Sequence, residues 1–157
     1  MNIETLYQIY LKHPSVQTDT RKLISGDIYF ALKGANFNGN DYAKNALEQG
    51  ASYAVVDESL NFEDERVIKV DDTLHTLQQL AKYHRLQFNI PFIAITGING
   101  KTTTKELVHV VLSEKYKTYT TEGNLNNHIG IPLTLLKIKS DAEIAVIEMG
   151  ANHQKEI

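Results

Sequence analysis

The sequence contains no cysteine among its 157 residues, which excludes disulfides, thiolate metal sites and thiol nucleophiles. It also lacks an excess of basic residues, since 16 Lys and Arg stand against 19 Asp and Glu and the formal net charge is -3. A nucleic-acid surface that depends on charge needs a basic face. No nucleic-acid partner is therefore expected.

Export and membrane signals are missing as well. The N-terminal stretch MNIETLYQIYLKHPS lacks a basic region followed by an apolar core, so no signal peptide is predicted. The longest apolar runs, such as residues 144–147, are far below the length of a membrane span. With 42% hydrophobic and 22% charged residues, the composition is globular. We expect a cytoplasmic protein without a membrane partner, and a monomer.

Helical and strand patterns alternate along the chain, which predicts the α/β fold class. Residues 33–41 contain two glycines and three asparagines, and they are expected to form a loop. Gly50 is the expected cap of a helix that contains Ala43, Ala46 and Leu47, and Asp71 or Asp72 the N-cap of the next. Asn89-Ile90-Pro91 breaks the pattern. We therefore predict a small α/β domain at residues 1–86 and a second domain at residues 87–157.

The second domain opens with an apolar run at residues 92–96, which is typical of a strand buried in a parallel sheet. The helix after it is expected to turn Leu107, Val108, Val111 and Leu112 inward. Two further strands are predicted, at residues 117–121 and 144–149. Three strands are few for a parallel sheet that is covered on both faces, so we expect the chain to be a fragment.

The strongest motif is Thr96-Gly-Ile-Asn-Gly-Lys-Thr-Thr-Thr104, between the predicted strand and helix, where a phosphate loop belongs. Its glycines allow close approach to phosphate, and the helix N-terminus supplies amide donors. Lys101 would reach the β- and γ-phosphates, and Thr102 would offer its hydroxyl to Mg²⁺. The spacing departs from GxxxxGK[ST], because Ile95 occupies the position of the first glycine. The alternative is a strand-turn-helix junction with a lysine by chance.

This shorter loop resembles the ATP-binding loop TGxNGKTT of the Mur ligase family, which includes folylpolyglutamate synthases. The segments TEGNLNNHIGIP at 121–132 and EMGANHQKEI at 148–157 resemble that family too. In the first domain, TDTR, GDIYFALKG and NGND resemble DSR, GDLFxALKG and DGHDF of its UDP-binding domain. The sequence departs at Lys155, where glycine is usual, and at Asn40, where histidine is frequent.

The resemblance implies a small UDP-substrate-binding domain, followed by the start of a phosphate-loop domain with a parallel sheet. It also implies an ATP- and Mg²⁺-dependent ligase that forms an acyl phosphate. GNLNN and EMGANH favour the member that joins D-alanyl-D-alanine to UDP-N-acetylmuramoyl-tripeptide in peptidoglycan synthesis. The alternatives are a sibling ligase (for the third residue, or for folylpolyglutamate) and a non-catalytic module that binds UDP or nucleotide. The chain alone is expected to be inactive, because the family's C-terminal domain is not in it.

The resemblance also implies site residues, with Lys101 and Glu148 in catalytic roles. Metal ligands would be Thr102 and Glu148, with His153 as a further candidate. The implied ATP contacts are Thr96, Gly97, Asn99, Gly100, Lys101, Thr102 and Thr103. The implied UDP-muramoyl contacts are Thr20, Arg21, Asn36, Phe37, Asn124, Asn126 and Asn127.

Each candidate has a plainer alternative. Glu148 would be a solvated glutamate at a strand end, and His153 a histidine without a special role. The three asparagines would serve their own turn. Arg21 would form a surface salt bridge, and Phe37 would be buried.

Overall fold

The computed structural model of the protein describes residues 1–150. Within this range the chain forms two compact units, one at Met1–Tyr83 and one that begins at His84. Each unit has its own parallel sheet. The α/β fold class predicted from the sequence is confirmed. No helix in residues 1–150 is both long enough and apolar enough to cross a membrane.

The first unit is a four-stranded parallel sheet in the order β1-β2-β5-β6, with a small antiparallel ribbon of β3 and β4. Single 3-10 turns occur at Thr20–Lys22 and Gly39–Tyr42. Its elements are α1 (Ile3–Lys12), β1 (Val16–Gln17), β2 (Ile28–Phe30), β3 (Lys33–Gly34), β4 (Phe37–Asn38), α2 (Ala43–Glu48), β5 (Tyr53–Val56), β6 (Val67–Lys69) and α3 (Thr73–Arg85).

Local signals in the sequence explain where these helices begin and end. The side chain of Asn2 accepts a hydrogen bond from the Thr5 amide and caps α1. Asp72 accepts from the His75 amide at 2.7 Å, so the predicted cap of α3 is confirmed. Gly50, with φ +101°, follows the end of α2 as predicted, because the left-handed region is open to glycine.

The core of the first unit lies where the two central strands meet the helices. All of β2 is buried, and β5 is buried from Ala54 to Val56. One apolar cluster combines Tyr29, Ala31, Ala43, Ala46, Leu47, Ala51, Ala54 and Val56. The small alanines of α2 allow the helix to approach the sheet closely, so this unit has a packed core of its own.

The second unit is a three-stranded parallel sheet in the order β7-β9-β8. The central strand β9 is buried from Ala145 to Glu148, because both of its neighbours pair with it. The elements are β7 (Phe92–Ile95), α4 (Lys101–Ser113), β8 (Thr118–Thr120), α5 (Gly130–Leu136) and β9 (Ile144–Glu148).

Three expectations from the sequence are wrong. Strand β7 is not buried, since Ile93 and Ala94 are exposed, and on α4 Leu107 is 64% and Val111 is 69% exposed. In residues 1–150, β7 pairs only with β9 and is an edge strand, and the exposure of Leu107 and Val111 shows that this face of α4 is not covered there. Residues 33–41 are not an irregular loop either, because they form the β3–β4 ribbon and part of a 3-10 turn.

Candidate functional site

The phosphate loop of the second unit connects β7 to α4. Gly100 has φ +76° and ψ 2°, a left-handed conformation that a glycine adopts without strain and that turns the chain into the helix. The first amides of α4 have no intrahelical acceptor and are available to an anion. The ammonium of Lys101 donates to the Gly97 carbonyl at 2.7 Å, which holds it over the loop.

Glu148 ends β9 at the same edge of the sheet, directly paired with Ile95 of β7. Its side chain is 1% exposed, so the alternative of a solvated glutamate is wrong. Its Oε1 atom accepts hydrogen bonds from Thr102 Oγ1 at 3.2 Å and from Asn126 Nδ2 at 2.7 Å. Its Oε2 atom is buried and has no hydrogen-bond partner among the described residues. A buried carboxylate oxygen without a partner is costly, and a cation bound to it would offset that cost.

A cavity of about 360 Å³ joins these groups. Its walls combine the loop, the first turn of α4 and the end of β9. The lining residues are Ile98, Asn99, Gly100, Lys101, Thr102, Thr103, Asn126 and Glu148. Of the other predicted contacts, Thr96 and Gly97 form the exposed start of the loop. His153 and Lys155 lie outside the described residues.

The three predicted asparagines have different surroundings. Asn126 lies in the phosphate-loop cavity against Glu148. Asn127 serves its own turn, since its Oδ1 atom accepts from the Ile129 amide at 3.1 Å and the Gly130 amide at 2.8 Å. Asn124 is exposed. The turn alternative therefore applies to Asn127.

The oxygen donors around Glu148 suit magnesium. Residues 1–150 contain no group of three or more His, Cys, Asp or Glu side chains that could hold a metal ion by themselves. One carboxylate and the hydroxyl of Thr102 are the kind of donor set that Mg²⁺ uses, because this ion keeps several waters and binds substrate phosphates. The Oε2 atom of Glu148 accepts no hydrogen bond from the described residues, so its lone pairs are available to coordinate the cation. The residues present fit this metal.

A second cavity, of about 470 Å³, lies in the first unit. The ring of Phe37 stacks on Tyr42 with centroids 5.3 Å apart and 22° between the planes. Phe37 is 47% exposed, so the alternative of a buried Phe37 is wrong. Asn36, also exposed, is not in the cavity lining. The lining residues are Thr18, Asp19, Thr20, Arg21, Phe37 and Tyr42.

Arg21 is held at the rim of this cavity by Asp19. Its Nε and Nη2 atoms donate to the two carboxylate oxygens, each at 2.8 Å, and the side chain of Arg21 is 87% exposed. The hydrogen bonds from Arg21 lower the pKa of Asp19 to about 2. The surface salt bridge expected as an alternative is present, and it leaves the outer edge of the guanidinium open to a second anion.

A polar network fixes the ribbon that carries Phe37. Lys33 pairs with Asp57 at 2.9 Å and with Glu58 at 2.8 Å. Asn40 is buried, donates to Asp57 Oδ1 at 2.9 Å and accepts from the Asp57 amide at 3.1 Å. Burial acts to raise the pKa of Asp57, but hydrogen bonds from Lys33, Asn40 and the Thr73 amide outweigh it and lower that pKa. Asn40 therefore ties the ribbon to the end of β5.

Four residues of the cavity linings were not among the predicted contacts, namely Thr18, Asp19, Tyr42 and Ile98. Two buried residues outside the linings, Lys105 and Thr121, were not predicted either. Tyr42 was within reach, because an aromatic residue directly follows the NGND segment. Lys105 lies one helical turn after Lys101, and Thr121 opens the TEGNLNN segment. Nothing in the pattern of residues shows that Lys105 and Thr121 are buried together, which is a tertiary contact across residues far apart in the chain.

A parallel sheet whose first strand runs into a short GxxGKT loop, with a buried carboxylate on the neighbouring strand, defines a phosphate-loop α/β fold. Residues 14–85 match the Mur ligase family, catalytic domain, and residues 95–156 match the Mur ligase middle domain. The chain belongs to the Mur ligase family.

Similar proteins are UDP-N-acetylmuramoyl-tripeptide--D-alanyl-D-alanine ligases. The Bacillus subtilis enzyme is 46% identical over 144 residues, which cover 90% of this chain and 32% of that enzyme. The Escherichia coli enzyme is 43% identical, with 91% of this chain and 31% of that enzyme covered. The chain thus spans about a third of the length of the curated relatives it matches.

Solved structures of Mur ligases are also similar to this chain. MurF from Acinetobacter baumannii has a TM-score of 0.88 and 35% identity, over 99% of this chain and 37% of that one. MurF ligase from Thermotoga maritima in complex with ADP has a TM-score of 0.81 and 31% identity, over 91% of this chain and 33% of that one. A diaminopimelate ligase, at 20% identity and a TM-score of 0.54, shares the fold.

Proposed function

We propose that the chain is part of an ATP-dependent ligase that joins D-alanyl-D-alanine to UDP-N-acetylmuramoyl-tripeptide in peptidoglycan synthesis. The observation that carries this proposal is the phosphate-loop cavity, which Lys101, Thr102 and Glu148 line together. The similarity to ligases of that name, at up to 46% identity, supports the choice of substrates.

The chemistry follows from the substrate. A carboxylate oxygen is a poor leaving group, so the substrate carboxylate takes the γ-phosphoryl group of ATP and becomes an acyl phosphate. The amine of D-alanyl-D-alanine then attacks the carbonyl carbon and phosphate leaves. Two anions have to approach each other, and the protein contributes position and positive charge. In this proposal, Lys101 and the amides at the start of α4 hold the β- and γ-phosphates.

Thr102 and Glu148 would hold the magnesium ion. When bound, Mg²⁺ neutralises phosphate charge and orients the transferring group. Asn126 donates to Oε1 of Glu148, which fixes the carboxylate of a residue that lines the cavity. The ADP complex of the Thermotoga maritima relative supports ATP as the cofactor.

The first unit would bind the uridine end of the substrate. Phe37, stacked on Tyr42, offers an aromatic face to the base. Arg21 and Thr20 line the same cavity, with donors suited to the diphosphate. Together with the lack of a membrane-spanning helix in residues 1–150, water-soluble nucleotide substrates support a cytoplasmic enzyme. We also propose that it works as a monomer.

The experiment that tests this function measures phosphate release by the complete ligase that contains this chain. Release is expected only when ATP, UDP-N-acetylmuramoyl-tripeptide and D-alanyl-D-alanine are all present. The 157-residue chain alone should release none, because it spans a third of its relatives. Release that needs a folate and glutamate, or that continues without D-alanyl-D-alanine, would contradict the proposal.

A calorimetric titration separates binding from catalysis. The chain should bind UDP-N-acetylmuramoyl-tripeptide and UDP saturably, and it should not bind a folate. Phe37 and Tyr42 lie in the proposed uridine site, so competition between the two UDP ligands is also expected. Saturable folate binding would favour the sibling enzyme instead.

A further inference from the structure

The second unit buries a lysine that the proposed phosphate chemistry does not use. Lys105 lies on α4, one turn after Lys101, and it is 1% exposed. Its ammonium donates to the carbonyl of Thr121 at 2.7 Å and pairs with Glu106 Oε1 at 2.6 Å. The hydrogen bond from Lys105 lowers the pKa of Glu106, whose side chain is 55% exposed. The charge of Lys105 is therefore paired at the edge of the protein.

Thr121 connects this lysine to Glu148. It follows β8 and is completely buried. Its amide donates to the Val146 carbonyl at 3.2 Å, and its hydroxyl accepts from the Glu148 amide at 2.9 Å. One continuous chain of hydrogen bonds thus runs from Lys105 through Thr121 to the backbone of Glu148.

Stability alone does not account for a lysine here. Lys105 is buried while its partner Glu106 is 55% exposed, so its ammonium has been removed from water at a cost that an apolar side chain of similar volume would not incur. A methionine would fill most of the same space. A buried ammonium that donates to one carbonyl instead specifies where that carbonyl lies, and the hydroxyl of the same residue, Thr121, accepts from the Glu148 amide.

We propose that Lys105 is a positioning residue, which fixes Thr121 so that Glu148 presents its unpartnered oxygen to the divalent cation that accompanies the nucleotide. This inference rests on the proposed function of the phosphate loop. Groups behind the direct ligands commonly control metal affinity, by about 10- to 100-fold when one is removed.

The test measures binding of a fluorescent ADP analogue to the 157-residue chain, with Mg²⁺ and with EDTA. The quantity of interest is the ratio of the two affinities. Lys105→Met should reduce this ratio by about tenfold, with the affinity in EDTA unchanged within about twofold. The thermal stability should fall modestly, because the Thr121 carbonyl loses its donor. Glu148→Gln should reduce the ratio in the same way. A misfolded variant would instead lose affinity under both conditions.

Lys137→Met is the matched control. Lys137 pairs with Glu122, the residue after Thr121, but both side chains are about half exposed or more and neither contacts Glu148 in the described structure. The ratio of the affinity in Mg²⁺ to the affinity in EDTA should be the same for Lys137→Met as for the wild type. If Lys105→Met matches this control while Glu148→Gln loses the ratio, Lys105 has no positioning role and the inference is overturned.

A double-mutant cycle tests the route through Thr121. Thr121→Val keeps the volume and removes the hydroxyl that accepts from Glu148. If Lys105 acts through this hydroxyl, the double variant should be no worse than the poorer single variant. Additive losses would overturn the route. Should Lys105→Met fail to fold, full Mg²⁺ enhancement in Thr121→Val would overturn it as well.

In the same binding experiment, failure of the proposed function would be seen in the wild-type chain itself. If the wild-type chain binds the analogue without any dependence on Mg²⁺ or Glu148, or does not bind it, the phosphate loop does not hold a metal-nucleotide complex. The positioning role would then fall with it.

Discussion

At the scale of single residues, Glu148 has two oxygens in different situations. Oε1 is engaged by Thr102 and Asn126, and Oε2 is buried without a partner in residues 1–150. The first oxygen fixes the direction of the carboxyl group, and the second remains for a ligand. A carboxylate with one oxygen fixed by hydrogen bonds and the other without a partner can bind a metal with little reorganisation.

The exposed ring of Phe37 leads to a prediction about UDP binding. Phe37→Ala should weaken binding of UDP by about 10-fold, because base-aromatic stacking contributes about 1–3 kcal/mol. Phe37→Tyr, which keeps the ring, should bind within a few fold of the wild type. Calorimetry with UDP measures both. Equal affinity of the alanine variant and the wild type would show that the base does not lie on this ring.

His84 leads to a prediction about pH. It is buried, donates through Nε2 to the Ile138 carbonyl at 2.9 Å, and packs edge-on against Phe88. Burial lowers the pKa of its imidazole, although the bond to Ile138 opposes this. The unfolded chain, where the pKa of histidine is about 6.5, then binds the proton more readily. Stability should therefore fall as pH drops below about 6.5.

Chemical denaturation between pH 5 and pH 7.5 measures this effect. His84→Gln should flatten the pH dependence of the free energy of unfolding. His75→Gln, which removes an exposed histidine of the same helix and retains the buried one, should keep the steep dependence. Greater stability of the wild type at pH 5 than at pH 7.5 would contradict the assignment.

At the scale of elements, the β3–β4 ribbon depends on one close approach. A Cβ atom on Gly39 would lie 2.5 Å from the Leu32 carbonyl oxygen and 2.6 Å from the Ala31 carbonyl carbon. The Gly39 amide donates to the Leu32 carbonyl at 2.8 Å, and its own carbonyl accepts from the buried Tyr29 hydroxyl at 3.0 Å. The backbone here has no room for a side chain.

Gly39→Ala should therefore destabilise the first unit by about 1–3 kcal/mol, because the backbone has to shift to relieve the overlap. Gly34→Ala is the matched control in the same ribbon, where the added Cβ would meet only Phe37 Cβ at 4.0 Å. Thermal unfolding compares the two. A Gly39→Ala variant as stable as Gly34→Ala would mean that the approach is less close than described.

The elements also show what the sequence can and cannot predict. The loop Thr96–Thr104 and the strand of Glu148 carry local patterns, so they were predictable. Helical periodicity shows that Leu107 and Val111 share a face, but it does not show whether another element covers that face. The two-residue strands of the ribbon are too short for any periodicity. Contacts such as Asn126 with Glu148 depend on tertiary packing alone.

At the scale of the whole molecule, the two units carry separate proposed tasks. The aromatic cavity lies in the first, and the phosphate loop lies in the second. The fold class and the loop followed from local sequence. The partners of Asp57 and Lys105 could not be predicted from local sequence, because they come from distant parts of the chain.

This separation predicts different effects of one substitution on two ligands. In the complete ligase, Lys101→Ala should lower turnover by about 100-fold or more, since the phosphates lose a positive charge in the transition state. The affinity for UDP-N-acetylmuramoyl-tripeptide should stay nearly unchanged. Steady-state kinetics and calorimetry measure the two quantities. Lys115→Ala, an exposed lysine just after α4, is the control.

A comparable loss of UDP-substrate affinity in Lys101→Ala would show that the tasks are not divided in this way. A loss of turnover in Lys115→Ala as large as that in Lys101→Ala would point to general electrostatics instead of the phosphate loop.

The network around Asp57 affects the thermodynamics of recognition. Lys33, Asn40 and Glu58 hold the ribbon before any ligand arrives, so the conformational entropy of this segment is lost during folding. Association with a nucleotide then requires little further ordering. Its heat-capacity change should reflect the apolar area covered by the base and little more. Lys33→Ala should make the binding entropy less favourable.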